Sequence, residues 1–363
     1  MKNENQHARL VGSFLEHYVA HGSEVRPSVS LLHPLMPTTF VFSPGIAELA
    51  RLTTDAKEDT TNFHLLQPCF REFDLKKLHG GRHLGFFHAG AAFHFEVRKN
   101  DFVAVSRTLL SFLRKEIQLR EGQLTVALSS EDEMGKQMWS EAGLDNNSFN
   151  FVSRDQTLWT PPPSAPPFVR QLAGTSYEVF CALPCVQCSN VDCRPGCSCQ
   201  KHVEIANVII FRSPSGQPWA AETVVGMERA LMIQQNLASI LQLPSLMELR
   251  ERLITKCECS PVICENSGFE QTVIATELFR GLSALLRAGA EPGPKGRGNT
   301  VRRIFKHVCA TVRACEGDIT KLSELLDEVP NATWPVPPAS PRLRVNFLRE
   351  FDLFEKTELL FAT

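Results

Sequence analysis

The chain has 363 residues, enough for a large core and two domains. Hydrophobic residues make up 43% and charged residues 21%, the proportions of a soluble globular protein, and the formal net charge of −2 excludes a global electrostatic drive toward nucleic acid. No apolar run reaches membrane-spanning length and the opening MKNENQHARL has no signal-peptide core, so an intracellular, cytoplasmic setting is expected, with the twelve cysteines as thiols or metal ligands.

Residues 8–21 carry the spacing of an amphipathic helix, with Leu10, Phe14 and Tyr18 on one face and Gly22 to end it. The proline-punctuated stretch 24–45 is rich in β-formers. In GRHLGFFHAGAAFHFE (81–96), Phe87, Ala89, Ala91, Phe93 and Phe95 alternate as in a half-buried strand. QPCFRE before it places Arg71 on a preceding strand, with Arg82 and His83 on the turn between. Residues 101–117 predict a second helix and QLTVALS a strand. SSEDEMGKQMWSEAG predicts a third helix with a serine cap and an acidic first turn. TPPPSAPPF (160–168) is a surface loop. Cysteines crowd 181–199, and VEIANVIIFR follows as a strand. Residues 222–242 read as a strand running into a helix, and 244–330 are almost wholly helical. A proline-rich linker (331–341) precedes a last amphipathic helix. Strands, helices and returning strands in this order predict an α+β fold with an antiparallel sheet.

Two antiparallel strands with cations and an aromatic side chain at their base suit a triphosphate, because guanidinium groups bind phosphate oxygens bidentately. CALPCVQCSNVDCRPGCSCQKH offers Cys181, Cys185, Cys188, Cys193, Cys197, Cys199 and His202. Cys185 and Cys188 form a C-x-x-C knuckle. Four ligands drawn from Cys185, Cys188, Cys193, Cys197, Cys199 and His202 would make a tetrahedral structural Zn²⁺ site. Cys257, Cys259 and Cys264 are a weaker cluster. PKGRGNTVRRIFKHV is locally basic, with Arg297, Arg302 and Arg303 as candidate contacts to RNA or another acceptor and a solvated helix face as the competing reading.

The Arg71–Arg82 segment resembles motif 2 of class II aminoacyl-tRNA synthetases, in the version found in alanyl-tRNA synthetases. The likeness extends through residues 14–49, which resemble the opening helix and motif 1, with Pro27 at its proline. GTSYEVF resembles the Gly-Pro-Cys-Ser-Glu-Ile segment and keeps Glu178. VEIANVIIF resembles the Glu-Ile-Trp-Asn strand, with Asn207 kept and Ala206 in place of tryptophan. ETVVGMERALMIQQ resembles motif 3, and 272–308 the helical region with Gly-Arg-Gly and Arg-Arg. The match runs from about residue 8 to about 315 of the sequence. It implies a class II synthetase-type antiparallel sheet flanked by helices in a catalytic domain over 1–243. A helical domain over 244–330, a linker over 331–341 and a C-terminal helix over 342–363 complete the expected organisation.

The resemblance also implies chemistry: a carboxylate attacks the α-phosphate of ATP, with Mg²⁺ as the accompanying ion. Arg71 then takes the α-phosphate, Arg82 or His83 the γ-phosphate, Phe87 one face of adenine and Arg229 the other. Glu222, where the family has aspartate, binds the α-amino group of a small amino acid. Asn207 orients the substrate, Trp159 walls the pocket, and Ile46 stands in place of methionine.

The chain departs from the family at several points. The motif 2 loop is shorter, His88 replaces a glutamate with an expected effect on adenine or acceptor contacts, and Pro294 replaces an asparagine that reads the acceptor stem. The editing and C-terminal domains are expected to be absent. These departures favour activation of alanine, or another small amino acid, with transfer to a small molecule or carrier rather than to tRNA. A minimal alanine–tRNA ligase and a non-catalytic binding protein are the competing readings.

Overall fold

The computed structural model describes residues 4–52, 61–95, 99–161, 163, 165, 169–212, 218–260, 271–326, 329 and 341–361. In chain order the elements are α1 (Glu4–Ala20), β1 (Glu24–Val25), α2 (Pro44–Leu52), β2 (Phe63–Phe70), β3 (Phe86–Phe95), α3 (Lys99–Lys115), β4 (Leu124–Ser129) and α4 (Glu133–Glu141). Then follow β5 (Phe149–Val152), β6 (Leu158–Trp159), β7 (Ala173–Ala182), β8 (His202–Arg212), β9 (Pro218–Gly226) and α5 (Met227–Gln234). The remaining helices are α6 (Pro244–Cys257), α7 (Gln271–Arg287), α8 (Gly296–Ala314), α9 (Leu322–Leu325) and α10 (Pro341–Phe361).

Among the described residues the strands form one nine-stranded sheet in the order β1-β2-β3-β9-β8-β7-β4-β5, with β6 also paired to β7. Its centre is antiparallel, as expected. The pairs β1–β2 and β4–β5 are parallel, so the sheet as a whole is mixed. The fold is α+β, with helices flanking the sheet and a helical region after it.

β3 is buried on both faces rather than half-buried: Ala89, Ala91, Ala92 and Phe93 are all fully shielded. Helix α1 covers one face, laying Leu10, Phe14 and Tyr18 into the core, and the Phe14 ring meets Phe112 of α3 edge-on at 5.4 Å. Gly22 ends the turn after α1 in the left-handed region at φ 81°, where a Cβ would be strained. Truncating a fully buried phenylalanine such as Phe14 to alanine costs about 3–5 kcal/mol.

The stretch 26–43 is irregular rather than β-structured, and only Glu24–Val25 pairs with the sheet. Pro27, Pro34 and Pro37 remove backbone donors every few residues, so no ladder continues. Helix α4 is capped by Asp132, not by serine. Its carboxylate accepts from the Gly135 N–H at 2.9 Å and from the Tyr177 hydroxyl at 2.6 Å. In 160–168 the described residues are irregular, and the linker residues 331–340 lie outside the described residues.

The helical region is tied to the sheet by a buried carboxylate. Glu277 of α7 accepts from the Gly85 and Phe86 N–H groups at 3.0 and 3.3 Å and pairs with Arg280 at 2.7 Å. Arg280 in turn donates to the Phe86 carbonyl and lies over the Phe86 ring. The base of β3 and the helical region therefore share one polar anchor.

Candidate active site

Four neighbouring strands build one face of a cavity of about 500 Å³. Register aligns Ala91 of β3, Val224 of β9, Asn207 of β8 and Glu178 of β7 in one row. Side chains alternate along a strand, so Ala89, Gly226, Val224, Asn207 and Ile209 face the same way. All five line the cavity, and the irregular segment Phe42–Ser43 and Ile46 of α2 close it from above.

At one end the cavity is lined by Arg71, His83, Phe87 and Arg229. Arg71 follows directly on β2. Its Nε donates to the Phe42 carbonyl at 2.9 Å, and its guanidinium lies over the Phe87 ring at 4.8 Å. Asp74 sits 3.9 Å away. Arg229, in the first turn of α5, donates to the Arg82 carbonyl at 3.1 Å and to the Glu204 backbone and carboxylate at 3.0 and 3.1 Å. Burial and the neighbouring Arg229 push the His83 imidazole down to about 4, so at neutral pH it is neutral rather than a third cation.

Arg82 is turned away from this group. It donates to the carbonyls of Gln200 and Ala238 and is not among the residues lining the cavity. Its guanidinium staples the end of the cysteine-rich segment to the segment after α5.

At the other end, Trp159, Asn207 and Ile46 line the cavity together with Ile209 and Val224. The Trp159 indole packs edge-on against Phe211 at 4.9 Å, which fixes its plane. The Asn207 carbonyl oxygen accepts from the Ser176 hydroxyl at 3.0 Å. Glu222 does not line the cavity. It lies one row deeper on β9, paired with Ile209 and Phe93, beneath Gly45. A Cβ at Gly45 would stand 2.1 Å from the Glu222 carboxylate, so only glycine lets α2 approach this closely. Burial pushes the Glu222 carboxyl up to about 8, against the pull of the Gly45 N–H, and its Oε1 has no hydrogen-bond partner.

Sequence reasoning passed over several acidic liners. Glu204, Asp74 and Glu228 all face the cavity alongside Glu178. Glu204 belongs to the VEIAN segment three residues before Asn207, which in a regular strand would turn it to the opposite face; a register shift between β7 and β8 at Val179/Phe180 falls between them, and nothing in the sequence marks it. Burial and the nearby Glu204 carboxylate push Glu178 up to about 7. His88 is wholly buried and not among the cavity liners, because strand alternation turns it to the face opposite Phe87 and Ala89. Contact with a nucleotide is therefore not its role in this arrangement.

Of the six candidate metal ligands, Cys188, Cys193, Cys197 and Cys199 converge, with all four sulfurs within 4.8 Å of one another. Cys188 and Cys197 are 3.9 Å apart, Cys193 and Cys199 3.5 Å. Cys185 is exposed and, like His202, stands outside the group, so the knuckle contributes only its second cysteine. Four thiols at this separation fit a tetrahedral thiolate ion with metal–sulfur bonds of about 2.3 Å. Cys257 and Cys259 are buried neighbours joined by a hydrogen bond; Cys264 lies outside the described residues.

The basic segment divides. Arg297 donates to the carbonyls of His33, Met36 and Thr39, and Arg302 forms a two-point ion pair with Glu350 of α10 at 2.8 and 2.9 Å. Arg303 pairs with Glu72 and lines a second cleft of about 840 Å³ with Lys76, His79 and His307. This cleft shares Arg71, Phe42 and Phe73 with the first cavity.

The family model described as tRNA synthetases class II (A) matches residues 9–332. Alanine–tRNA ligase of Desulfitobacterium hafniense (strain Y51) is 25% identical over 325 residues, covering 84% of this chain and 35% of that protein. Alanine–tRNA ligase of Natranaerobius thermophilus is 22% identical over 308 residues, covering 81% and 34%. The chain thus spans about a third of the length of these curated relatives. Among solved structures, pyrrolysyl-tRNA synthetase from Desulfitobacterium hafniense aligns with 11% identity and a TM-score of 0.38, covering 66% of this chain and 72% of that one. Among the described residues no helix is long and apolar enough to cross a membrane.

Proposed function

The chain belongs to the class II tRNA synthetases (A), and from that premise we propose that it activates alanine, or another small amino acid, as an aminoacyl-adenylate and passes the acyl group to an acceptor other than tRNA. The observation that carries this reading is the sharing of one cavity by Arg71, Phe87 and Arg229 at one end and Trp159, Asn207 and Ile46 at the other. A triphosphate and a small carboxylate placed there meet between fixed cations.

In this reading Arg71 neutralises the α-phosphate as the substrate carboxylate approaches, which requires it to leave the Phe87 ring for the phosphate. Phe87 and Arg229 then sandwich adenine. Neutral His83 donates a hydrogen bond toward the γ-phosphate, and Arg82 holds the wall instead of the nucleotide. Asn207 and Trp159 shape a pocket for a short side chain. Glu222 offers its unpartnered Oε1 to the ammonium group once the Gly45 segment shifts. Glu178 and Glu204 are the carboxylates at hand for the Mg²⁺ that accompanies ATP and screens phosphate charge. The four-cysteine group would hold Zn²⁺ as a structural staple.

The absence of an asparagine at Pro294 and the internal use of Arg297 and Arg302 support an acceptor other than tRNA. One observation favours the second reading, a minimal alanine–tRNA ligase: a cleft with Lys76, His79 and Arg303 opens beside the cavity, although Arg303 would have to release Glu72, which also lines it, to meet a polyanion.

Pyrophosphate exchange separates these readings. Alanine-dependent ATP–pyrophosphate exchange without RNA is expected, and replacing Arg71 or Arg229 with alanine should lower it by about 100-fold or more. Radiolabelled alanine should not accumulate on total tRNA. Charged tRNA would establish the second reading, and no exchange across an amino-acid panel would overturn both.

A further inference from the structure

Behind the cavity wall, three side chains from separate parts of the chain meet in the core. His7 comes from the first turns of α1, His88 from β3 and Glu228 from the start of α5. They are 3%, 0% and 4% exposed. One donor atom from each lies within 4.8 Å of the others. His88 Nδ1 is 2.8 Å from Glu228 Oε1, and His7 Nε2 is 3.9 Å from the same oxygen.

These separations bracket what one ion requires. With metal–nitrogen and metal–oxygen bonds of about 2.1 Å, neighbouring ligand atoms stand about 3.0 Å apart in octahedral geometry and about 3.4 Å apart in tetrahedral geometry. The Glu228 carboxylate is already oriented, because the His88 N–H donates to both of its oxygens at 2.9 and 3.1 Å.

A plain His88–Glu228 hydrogen bond accounts for two of the three residues and leaves His7 unexplained. Neither ring nitrogen of His7 has a hydrogen-bond partner, although the ring is buried and its Nε2 points at the Glu228 carboxylate. Burying a bare imidazole there carries a desolvation cost with no return unless a ligand pairs with it.

We propose that His7, His88 and Glu228 form a buried site for a divalent transition-metal ion, distinct from the four-cysteine group. Two imidazole nitrogens and one carboxylate oxygen suit zinc, manganese or iron(II) in preference to the soft thiolate set of the cysteines. The ion clasps α1 to β3 and α5. Because Glu228 also lines the nucleotide cavity, the ion fixes that wall from behind. Arg280 of α7, itself paired with Glu277, is the further charge that acts on His7 and Glu228.

The test is cobalt loading of the chelator-stripped, full-length chain, read by equilibrium dialysis and visible absorption. The His7→Phe and His7→Gln variants should each bind one equivalent fewer than the wild type. Any sulfur-to-cobalt charge-transfer band should be unchanged in both. The Cys188→Ser/Cys197→Ser variant should lose that band and keep the equivalent that His7 replacement removes. Far-UV circular dichroism confirms that at least one His7 variant is folded. Equal cobalt content in the wild type and a folded His7 variant would overturn the proposal. That outcome leaves the adenylation reading untouched, since it is scored by exchange and not by metal content.

Discussion

Glu222 shows how much one carboxylate can reveal. Its folded-state pKa of about 8 lies above the ordinary value of 4.5, because burial disfavours the charge. The folded chain therefore holds this proton more tightly than the unfolded one does. The stability it leaves is fully present below pH 4.5 and is lost as pH rises through about 8. Replacing Glu222 with glutamine removes the titration and keeps an acceptor for the Gly45 N–H. Chemical denaturation should show similar stability for the two proteins near pH 5. Near pH 9 the variant should be the more stable by a margin on the order of 4 kcal/mol. Parallel pH profiles would show that Glu222 is not desolvated. If Glu222 receives the substrate ammonium, saturating alanine should stabilise the wild type more at pH 8 than at pH 5 and have no such trend in the variant.

At the scale of elements, periodicity made much of the fold legible. Alternation picked out β3 and the 3.6-residue spacing picked out α1, since those patterns record which face is buried, and the stretches read as strands at β4 and β8 and as helices at α3 and α5 form those elements. Residues 26–43 misled because β-forming side chains say nothing about backbone donors, and the prolines there remove them. The α4 cap was misplaced because serine and aspartate compete for the same role and only geometry decides between them. Arg71, His83, Phe87, Trp159, Asn207 and Arg229 were nameable in advance, and the cavity gathers all six. The direction taken by Arg82 was not, because the carbonyls that hold it lie 118 and 156 residues away. The same holds for His7, His88 and Glu228, whose meeting depends on the packing of three distant elements.

The tie between α7 and β3 yields an element-level prediction. Glu277 is fully buried and Arg280 is its charge partner. Arg280→Ala would leave that carboxylate buried with only two backbone donors. A loss of about 3–5 kcal/mol in urea unfolding is expected. Arg280→Ala/Glu277→Gln should recover part of it. An unchanged midpoint in the single variant would mean that the helical region is not anchored through this pair.

For the whole molecule, Arg82 links the cysteine-rich segment to the wall of the cavity. Arg82 bridges the carbonyls of Gln200, beside the cysteine group, and Ala238, while its own carbonyl receives Arg229. Under the proposed structural role of the four cysteines, disrupting that group should therefore reach the Arg229 side of the cavity. The Cys188→Ser/Cys197→Ser variant is expected to raise the KM for ATP more than the KM for alanine in the exchange assay. Equal effects on both substrates would show that the staple acts on overall stability alone.

The central claim is that one cavity holds a nucleotide and a small amino acid at the same time. Isothermal titration calorimetry with a non-hydrolysable alanyl-adenylate analogue, the alanyl sulfamate of adenosine, tests it most directly. The account predicts one site per chain, binding far tighter than ATP or alanine alone, and weakened at least about 100-fold by either Arg229→Ala or Trp159→Ala. Binding no tighter than that of adenosine, or equal binding by the wild type and both variants, would contradict it.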